Sequence, residues 1–431
     1  MGLQERIAEG SAVFGVVGLG YVGLPLAVEM AGAGIRVLGF EVLAPKADAV
    51  NAGESYIPDV PTEQLADLVK RGLLYATCDF SRVSECDAVA ICVPTPLDKT
   101  KEPDVSFMVA ATEAIAPHLK PGALVTLEST TYPGTTEEVI MPILEAGGRK
   151  VGVDFYLAFS PERVDPGNPV YQTKNTPKVV GGVTPACTEA ACAMYGAFLD
   201  SVVPVSSTRT AEMTKLLENI FRCVNIALVN ELLMLSERMG VDMWEVVEAA
   251  KTKPFGFMPF YPGPGLGGHC IPIDPYYLSW KAREYDFQAE FIELAGKVNS
   301  NMPYYVVRRL MDALNTRGKS LSASRVLMLG VAYKNDIDDI RESPAIKTAD
   351  LILAKGADLV YHDPYVEQFS VGGVVVPSCD LTAETVASAD VVLLITGHKV
   401  LDYDLVAGNA KLILDTRDAF KGFDGDVVVK L

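Results

Sequence analysis

Residues 262–275 read PGPGLGGHCIPIDP and set four glycines ahead of one cysteine, Cys270, with one carboxylate, Asp274, four residues behind it. Glycine admits backbone conformations and close approaches that a Cβ forbids, so Gly263, Gly265, Gly267 and Gly268 suit a loop wrapped around a ligand. A thiol ending such a loop is placed for covalent chemistry. A tight turn around a small, buried cysteine fits the same residues, so the remainder of the chain must separate the two.

The elements that would serve this thiol begin near the N-terminus. AVFGVV (12–17) is a short apolar run, GLGYVG follows at once, and LPLAVEMAGAG continues as an amphipathic helix. Gly18, Gly20 and Gly23 match GxGxxG, with Tyr21 and Val22 inside the turn, and a second strand, Arg36 to Phe40, ends at Glu41. Strand, glycine turn, helix, strand and acid form the dinucleotide-binding fingerprint. Gly18 makes the tight turn, Gly20 lets backbone approach a pyrophosphate, and Gly23 lets the helix pack on the sheet. The helix N-terminus faces the phosphates with unpaired N–H groups. A carboxylate at Glu41 accepts from both ribose hydroxyls and repels a 2′-phosphate, so NAD is expected rather than NADP.

Further buried strands end in polar turns. ADAVAICVPTPL runs into Pro94 and Thr95, ALVTLESTTYPGTT into Ser129, Thr130 and Thr131, and FYLAFSPERVDPGN into Glu162 and Arg163. Ligands of doubly wound sheets bind outside the carboxyl ends of the strands, which makes these residues pocket candidates. Helix capping is the alternative for the threonines, and a surface salt bridge for Glu162 and Arg163. From 210 to 240 apolar residues recur at spacings of three and four, ending at Gly240. This predicts a helix of roughly 45 Å, long enough to join two domains. Lys215 and Asn219 project from one of its faces, although a solvated lysine is the common case.

A polar segment at 317–324 separates a second α/β unit, with strands predicted at 325–330, 357–361, 391–396 and 411–415. It lacks GxGxxG. Its turns carry Lys334 and Arg341, and Arg417 ends a later strand. Three cations at strand ends in so acidic a chain suggest a second, phosphate-bearing ligand; scattered surface charge is the alternative.

At 431 residues, two or three domains are expected. The fold class is α/β, with a Rossmann domain over 1–205, a central helical domain with the Cys loop over 206–316, and a Rossmann-like domain over 317–431. A net charge of −18 without a basic run argues against nucleic-acid and anionic-membrane surfaces. No apolar run approaches the ~18 residues of a membrane helix, and the N-terminus has no secretory pattern, so a cytoplasmic protein is expected. Eight scattered cysteines and four dispersed histidines give neither a disulfide framework nor metal spacing. No metal is expected.

GVVGLGYVGLP, VPTP, EST, SPER, AEMTKLLEN, GLGGHCIPIDP, YKNDIDDIRESP and DTR, in this order, resemble the UDP-sugar 6-dehydrogenases of the UDP-glucose/GDP-mannose dehydrogenase family. The resemblance implies an NAD domain, a dimerising helical middle and a UDP-binding C-terminal domain. It also implies a four-electron oxidation with two NAD⁺ and one water, in nucleotide-sugar metabolism. Cys270 would be the nucleophile, helped by a neighbouring cation because free cysteine has a pKa of about 8.5. Lys215 would supply that charge and, with Asn219, hold the oxyanion at C6. Asp274 would orient or activate water with Thr130, and Glu162 would line the same pocket, with Arg163 beside it. The first proton goes to Lys215, Glu162 or water. Lys334 and Arg417 would face the UDP-sugar, and Arg341 the cofactor.

Two departures stand out. Glu41 replaces a common Asp, with the same ribose contacts in reach. In TKPFGFMPFYPGPG (252–265), Phe255, Phe257, Phe260 and Tyr261 replace a segment in which UDP-glucose enzymes carry an arginine. An aromatic wall suits an acetamido methyl, and this loop resembles that of enzymes using UDP-N-acetylglucosamine. That sugar is the expected substrate, ahead of UDP-glucose, UDP-N-acetylgalactosamine and UDP-N-acetylmannosamine. A two-electron hydroxyacid dehydrogenase would not need Cys270 or the C-terminal domain. A non-catalytic nucleotide-sugar sensor would have lost Cys270, Lys215 or Asp274.

Overall fold

The computed structural model describes residues 2–98, 102–164, 168, 170–268, 271–423 and 426–431. Cys270, the expected nucleophile, and His269 lie outside the described residues. The chain groups into two compact units. One comprises Met1–Glu218 with Trp280–Phe287, the other Asn219–Ser279 with Gln288–Leu431.

The first unit is built on eight strands: β1 (Val13–Val17), β2 (Arg36–Phe40), β3 (Leu74–Thr77), β4 (Ala88–Ile91), β5 (Leu124–Leu127), β6 (Tyr156–Phe159), β7 (Lys178–Gly182) and β8 (Val202–Val205). Their order is β3-β2-β1-β4-β5-β6-β7-β8. The first six are mutually parallel in the doubly wound order. Strand alternation feeds two cores: Phe14, Val16, Ala88 and Ala90 face one side, and Val13, Val17, Val89 and Ile91 the other. A parallel sheet covered on both faces requires such continuous apolar strands. β7 then joins β6 antiparallel, pairing Phe159 with Gly181. β8 closes that edge, where Pro204 is tolerated. This pair was not anticipated from the sequence.

In the second unit five parallel strands run in the order β10-β9-β13-β14-β15. They are β9 (Arg325–Leu329), β10 (Asp358–His362), β13 (Val391–Leu394), β14 (Ile413–Asp415) and β15 (Val428–Lys430), and β11 (Gln368–Val371) and β12 (Val374–Pro377) form a separate two-stranded hairpin. Four strands were expected here; β15 and the hairpin are additional. The helix Glu290–Asn315 covers this sheet with Val306, Leu310 and Leu314.

The long helix spans Thr208–Met239, and the division between the units falls within it. It ends where Gly240 adopts φ +69°, with Gly240 N–H donating to Glu237 O and Val241 N–H to Ser236 O. These two bonds satisfy carbonyls the helix leaves free. By length and composition alone this helix is apolar enough to cross a membrane, which an argument from uninterrupted apolar runs passes over. Glu212, Lys215, Asn219 and Asn230 on it are buried polar residues engaged with protein partners.

Candidate active site

The glycine turn leaves β1 at Gly18, where φ is +88° and a Cβ would stand 2.7 Å from the carbonyl oxygen of Cys92. A Cβ at Gly23 would stand 1.9 Å from the Gly18 carbonyl oxygen. Both glycines are required by the protein itself. Gly20 is different, since among the described residues no atom beyond its chain neighbours lies within 4 Å of its Cβ position. There a side chain would occupy only the approach to the turn. Val22 places no side-chain cap on the helix Gly23–Gly32, and a helix N-terminus directs its first N–H groups at a phosphate. Tyr21 is exposed. Glu41 follows β2 and accepts from the amides of Leu19 (3.2 Å), Val42 (2.9 Å) and Leu43 (3.2 Å). Tyr56 donates to the Leu19 carbonyl at 2.8 Å, so the Leu19 peptide is held at both ends. These residues fit a dinucleotide.

Beyond β4, Pro94 is exposed and Thr95 half-buried. Ser129 is committed to this turn, its hydroxyl accepting from Val93 N–H (3.0 Å) and donating to Val93 O (2.8 Å). Thr130 follows, half-buried. Glu162 follows β6, and one carboxylate oxygen accepts from the amides of Arg163 (2.7 Å) and Val164 (2.8 Å). Lys215, on the long helix, donates from Nζ to the Glu162 carbonyl oxygen at 2.6 Å. One turn earlier, buried Glu212 accepts from Gly134 N–H (2.6 Å), Thr136 N–H (2.9 Å) and the Thr136 hydroxyl (2.7 Å). Burial raises the Glu212 carboxyl above its ordinary value despite these donors. The lysine is thus anchored on a helix that is itself pinned to the sheet. Of the two readings of Arg163, the ion pair is the one formed: its guanidinium meets Glu218 at 2.6 Å and the Pro177 carbonyl at 2.6 Å.

In the second unit Asn219 donates from Nδ2 to Oδ2 of Asp274 and accepts from Arg222. Asp274 begins the helix Asp274–Ala282, and both it and Asn219 are buried. The glycine loop leading towards Cys270 packs against protein. Gly263 N–H donates to Asn230 Oδ1 (3.0 Å), and Asn230 Nδ2 donates to Asn299 Oδ1 (3.0 Å). A Cβ at Gly263 would meet Arg417 Nη1 at 2.7 Å, and one at Gly267 the Tyr333 Cβ at 2.5 Å. Gly265 and Gly268 have φ of +134° and +88°. The close approaches of these glycines within the protein are to Tyr333, Pro344 and Arg417 of the same unit.

Arg417 donates from Nε to the Ile395 carbonyl at 2.8 Å. Burial lowers its guanidinium to about 10, against the opposing pull of Asp415, so it stays charged at neutral pH. Lys334 is half-buried beyond β9. Arg341 pairs with Asp339 at 2.7 Å, and its carbonyl accepts from Gly268 N–H at 3.2 Å. Phe260 lies edge-on to Phe221 (5.7 Å). Tyr261 stacks on Trp244 (5.9 Å) and donates to Glu248 at 2.6 Å, while Phe255 and Phe257 are exposed.

Sequence reasoning missed several buried polar residues. Asp363 follows β10, as Glu41 follows β2, but it turns inward and accepts from Val331 N–H (2.7 Å) and Ala332 N–H (3.2 Å). His398 Nδ1 accepts from Asp336 N–H, so in the neutral ring the proton sits on Nε2 and donates to Asp363 at 3.1 Å. This acid braces the turn after β9. Lys178, Glu128 and Tyr195 were also missed, although Glu128 belongs to the EST segment.

A dinucleotide-binding unit with a buried lysine beside its strand ends describes the nicotinamide-dependent dehydrogenases as a class. Comparison with known proteins narrows this. Residues 12–199 match the NAD binding domain of the UDP-glucose/GDP-mannose dehydrogenase family, residues 209–301 its central domain, and residues 327–422 its UDP binding domain. The chain belongs to this family, and it is an NAD-dependent UDP-sugar dehydrogenase. The UDP-N-acetyl-D-mannosamine dehydrogenase of Pyrococcus horikoshii is 34% identical over 413 residues, covering 94% of this chain and 95% of that one. The UDP-N-acetyl-D-glucosamine 6-dehydrogenase of Pseudomonas aeruginosa is 37% identical over 353 residues, covering 81% and 82%. A solved structure of the UDP-D-ManNAc dehydrogenase from Pyrococcus horikoshii superposes with a TM-score of 0.89 at 33% identity, covering 97% of this chain and 98% of that one.

Proposed function

We propose that the enzyme oxidises C6 of a UDP-N-acetylhexosamine to a carboxylate through a thioester on Cys270. The observation that carries the chemistry lies on one helix. Lys215 and Asn219 stand a turn apart, and Asn219 holds Asp274, four residues beyond Cys270 in sequence. The Gly18–Gly23 turn and Glu41 would hold NAD⁺, which when bound would supply a hydride acceptor for alcohol to aldehyde and for thiohemiacetal to thioester. The hydroxyl proton of C6 passes to Lys215, Glu162 or water. The Cys270 thiolate adds to the aldehyde carbon, and the Lys215 ammonium with the Asn219 amide stabilises the resulting oxyanion. The same ammonium favours the thiolate over the thiol. Asp274, with Thr130, directs water onto the thioester carbon. The C–S bond breaks, and the thiolate is restored. One alcohol, one water and two NAD⁺ become one carboxylate, two NADH and three protons.

The acetamido group is supported by the names of the relatives and by the aromatic lead-in Phe255, Phe257, Phe260 and Tyr261, which lacks an arginine. UDP-N-acetylglucosamine is the expected sugar, with UDP-N-acetylmannosamine its main competitor. A panel of these two, UDP-N-acetylgalactosamine and UDP-glucose, compared by kcat/KM, tests this. Preference for UDP-glucose contradicts the acetamido reading; preference for the mannosamine epimer contradicts only the choice of epimer. A second copy of the chain is the partner expected at the long helix, where Phe221, Leu228, Leu232, Leu235 and Met239 form an exposed stripe at spacings of three, four and seven. Sedimentation of the wild type as a monomer would contradict that.

A further inference from the structure

Three buried polar side chains stand behind Glu162 in the first unit, and the mechanism above uses none of them. Lys178 opens β7, and β7 is antiparallel to β6. The register that pairs Phe159 with Gly181 therefore runs on to set Lys178 across from Glu162. A parallel β7 would carry its first residue to the opposite end of the sheet. Ser160 ties the same corner, donating to the Val179 carbonyl at 2.8 Å.

Lys178 is 4% exposed, Glu128 1% and Tyr195 fully buried. The Lys178 Nζ donates to Glu128 at 2.7 Å and to Glu162 at 3.3 Å, and it lies 5.4 Å from the centre of the Tyr195 ring. Tyr195 donates to the other Glu128 oxygen at 2.6 Å. Buried ion pairs are poor stabilisers, because desolvation consumes most of the attraction and packed apolar side chains serve as well. Stability alone does not account for this trio. It faces the carboxylate of Glu162, which retains some exposure.

We propose that Lys178 is a positioning residue, anchored by Glu128 and Tyr195, that fixes the Glu162 carboxylate as an acceptor beside the Lys215 contact. This rests on the reading of Glu162 as a group that acts in the reaction. The two Glu162 oxygens then have separate restraints. One is held by the amides of Arg163 and Val164, the other by Lys178. With both fixed, the Glu162 backbone carbonyl that receives Lys215 is fixed as well.

The charges around Glu162 agree. Burial alone would raise its carboxyl, but Lys178, the Val164 and Arg163 amides and Lys215 outweigh it and hold the group below its ordinary value. Burial raises Glu128 despite Lys178. Burial would lower Lys178, yet Glu128 and Glu162 together raise it. Cys92 at the end of β4 and Tyr195 are raised by burial and stay neutral, and Arg163 is paired with Glu218. Without Lys178, burial and the neighbouring Glu128 remain, so Glu162 ionises at higher pH.

The test uses the full-length enzyme with the UDP-sugar that the wild type turns over fastest in the panel above, followed by NADH absorbance from about pH 4 to 9, a range that covers the ordinary carboxylate value and the shifted limb. Lys178→Met should lower kcat by about tenfold or more with little change in KM, and move the acid limb of the kcat profile up by about one pH unit or more, the effect of losing one close opposite charge. Lys178→Arg should keep the wild-type profile. Lys178→Met leaves two carboxylates facing each other, so the double variant Lys178→Met/Glu128→Gln is measured alongside. It should recover the thermal midpoint while keeping the shifted limb. A double variant with wild-type kcat and profile would overturn the proposal, since the trio would then only fill the core. Wild-type kcat in Glu162→Gln would overturn its premise instead, and the Lys178 result would not be needed to see it.

Discussion

Asn219 donates its side-chain amide to the carboxylate of Asp274, joining the long helix to the first residue of the helix that follows the cysteine loop. The bond is buried, and Arg222 holds the other end of the same amide. The carboxylate therefore has a fixed direction before any substrate arrives.

Asp274→Asn should keep this contact's shape while removing the base. Thioester hydrolysis should slow by about 10²–10⁴-fold, the usual worth of a general base. Rapid quench followed by intact-protein mass measurement should then find an adduct of the size of the whole UDP-sugar that the wild type does not accumulate. Full turnover without an adduct would assign the water-directing role elsewhere.

The glycine turn separates two kinds of glycine. Gly23→Ala puts a methyl 1.9 Å from the Gly18 carbonyl oxygen and should destabilise the fold by about 1–3 kcal/mol. Gly20→Ala meets no atom within 4 Å among the described residues beyond its chain neighbours. Its thermal midpoint without NAD should match the wild type, while KM for NAD rises roughly tenfold, a loss of about 1.4 kcal/mol. Equal effects on stability would contradict the role given to Gly20.

Asp363 gives the second unit a pH dependence. Burial would raise its carboxyl, but the His398 hydrogen bond and the Val331 and Tyr365 amides hold it below its ordinary value. A depressed folded-state pKa contributes stability above the unfolded value and loses it as pH falls through the folded one. Asp363→Asn should cost about 1–3 kcal/mol at pH 7. The gap in thermal midpoint from wild type should narrow as pH is taken below 4. A gap independent of pH would show that shape, not charge, is lost.

Much of this was legible in the residues. GLGYVG followed by a strand and Glu41 is local, and local spacing survives folding. Lys215 and Asn219 were legible for the same reason, since one helical turn brings them to one face. Lys178, Glu128 and Glu162 meet through an antiparallel register inserted after six parallel strands, and no spacing along the chain encodes that. Tyr261 was legible as an aromatic near the site, but its hydroxyl is engaged by Glu248, thirteen residues back. The glycines at 263–268 announced close approach without saying to what; Tyr333 and Arg417, which they approach, lie more than sixty residues further on.

The central claim is that one substrate molecule is oxidised twice, the second time as a thiohemiacetal on Cys270. NADH formed per UDP-sugar consumed tests it most directly, in the wild type and in Cys270→Ala. The account predicts two NADH per sugar and a uronic acid product for the wild type, with Cys270→Ala unable to release the acid. One NADH per sugar in the wild type, or full two-NADH turnover by Cys270→Ala, would contradict it.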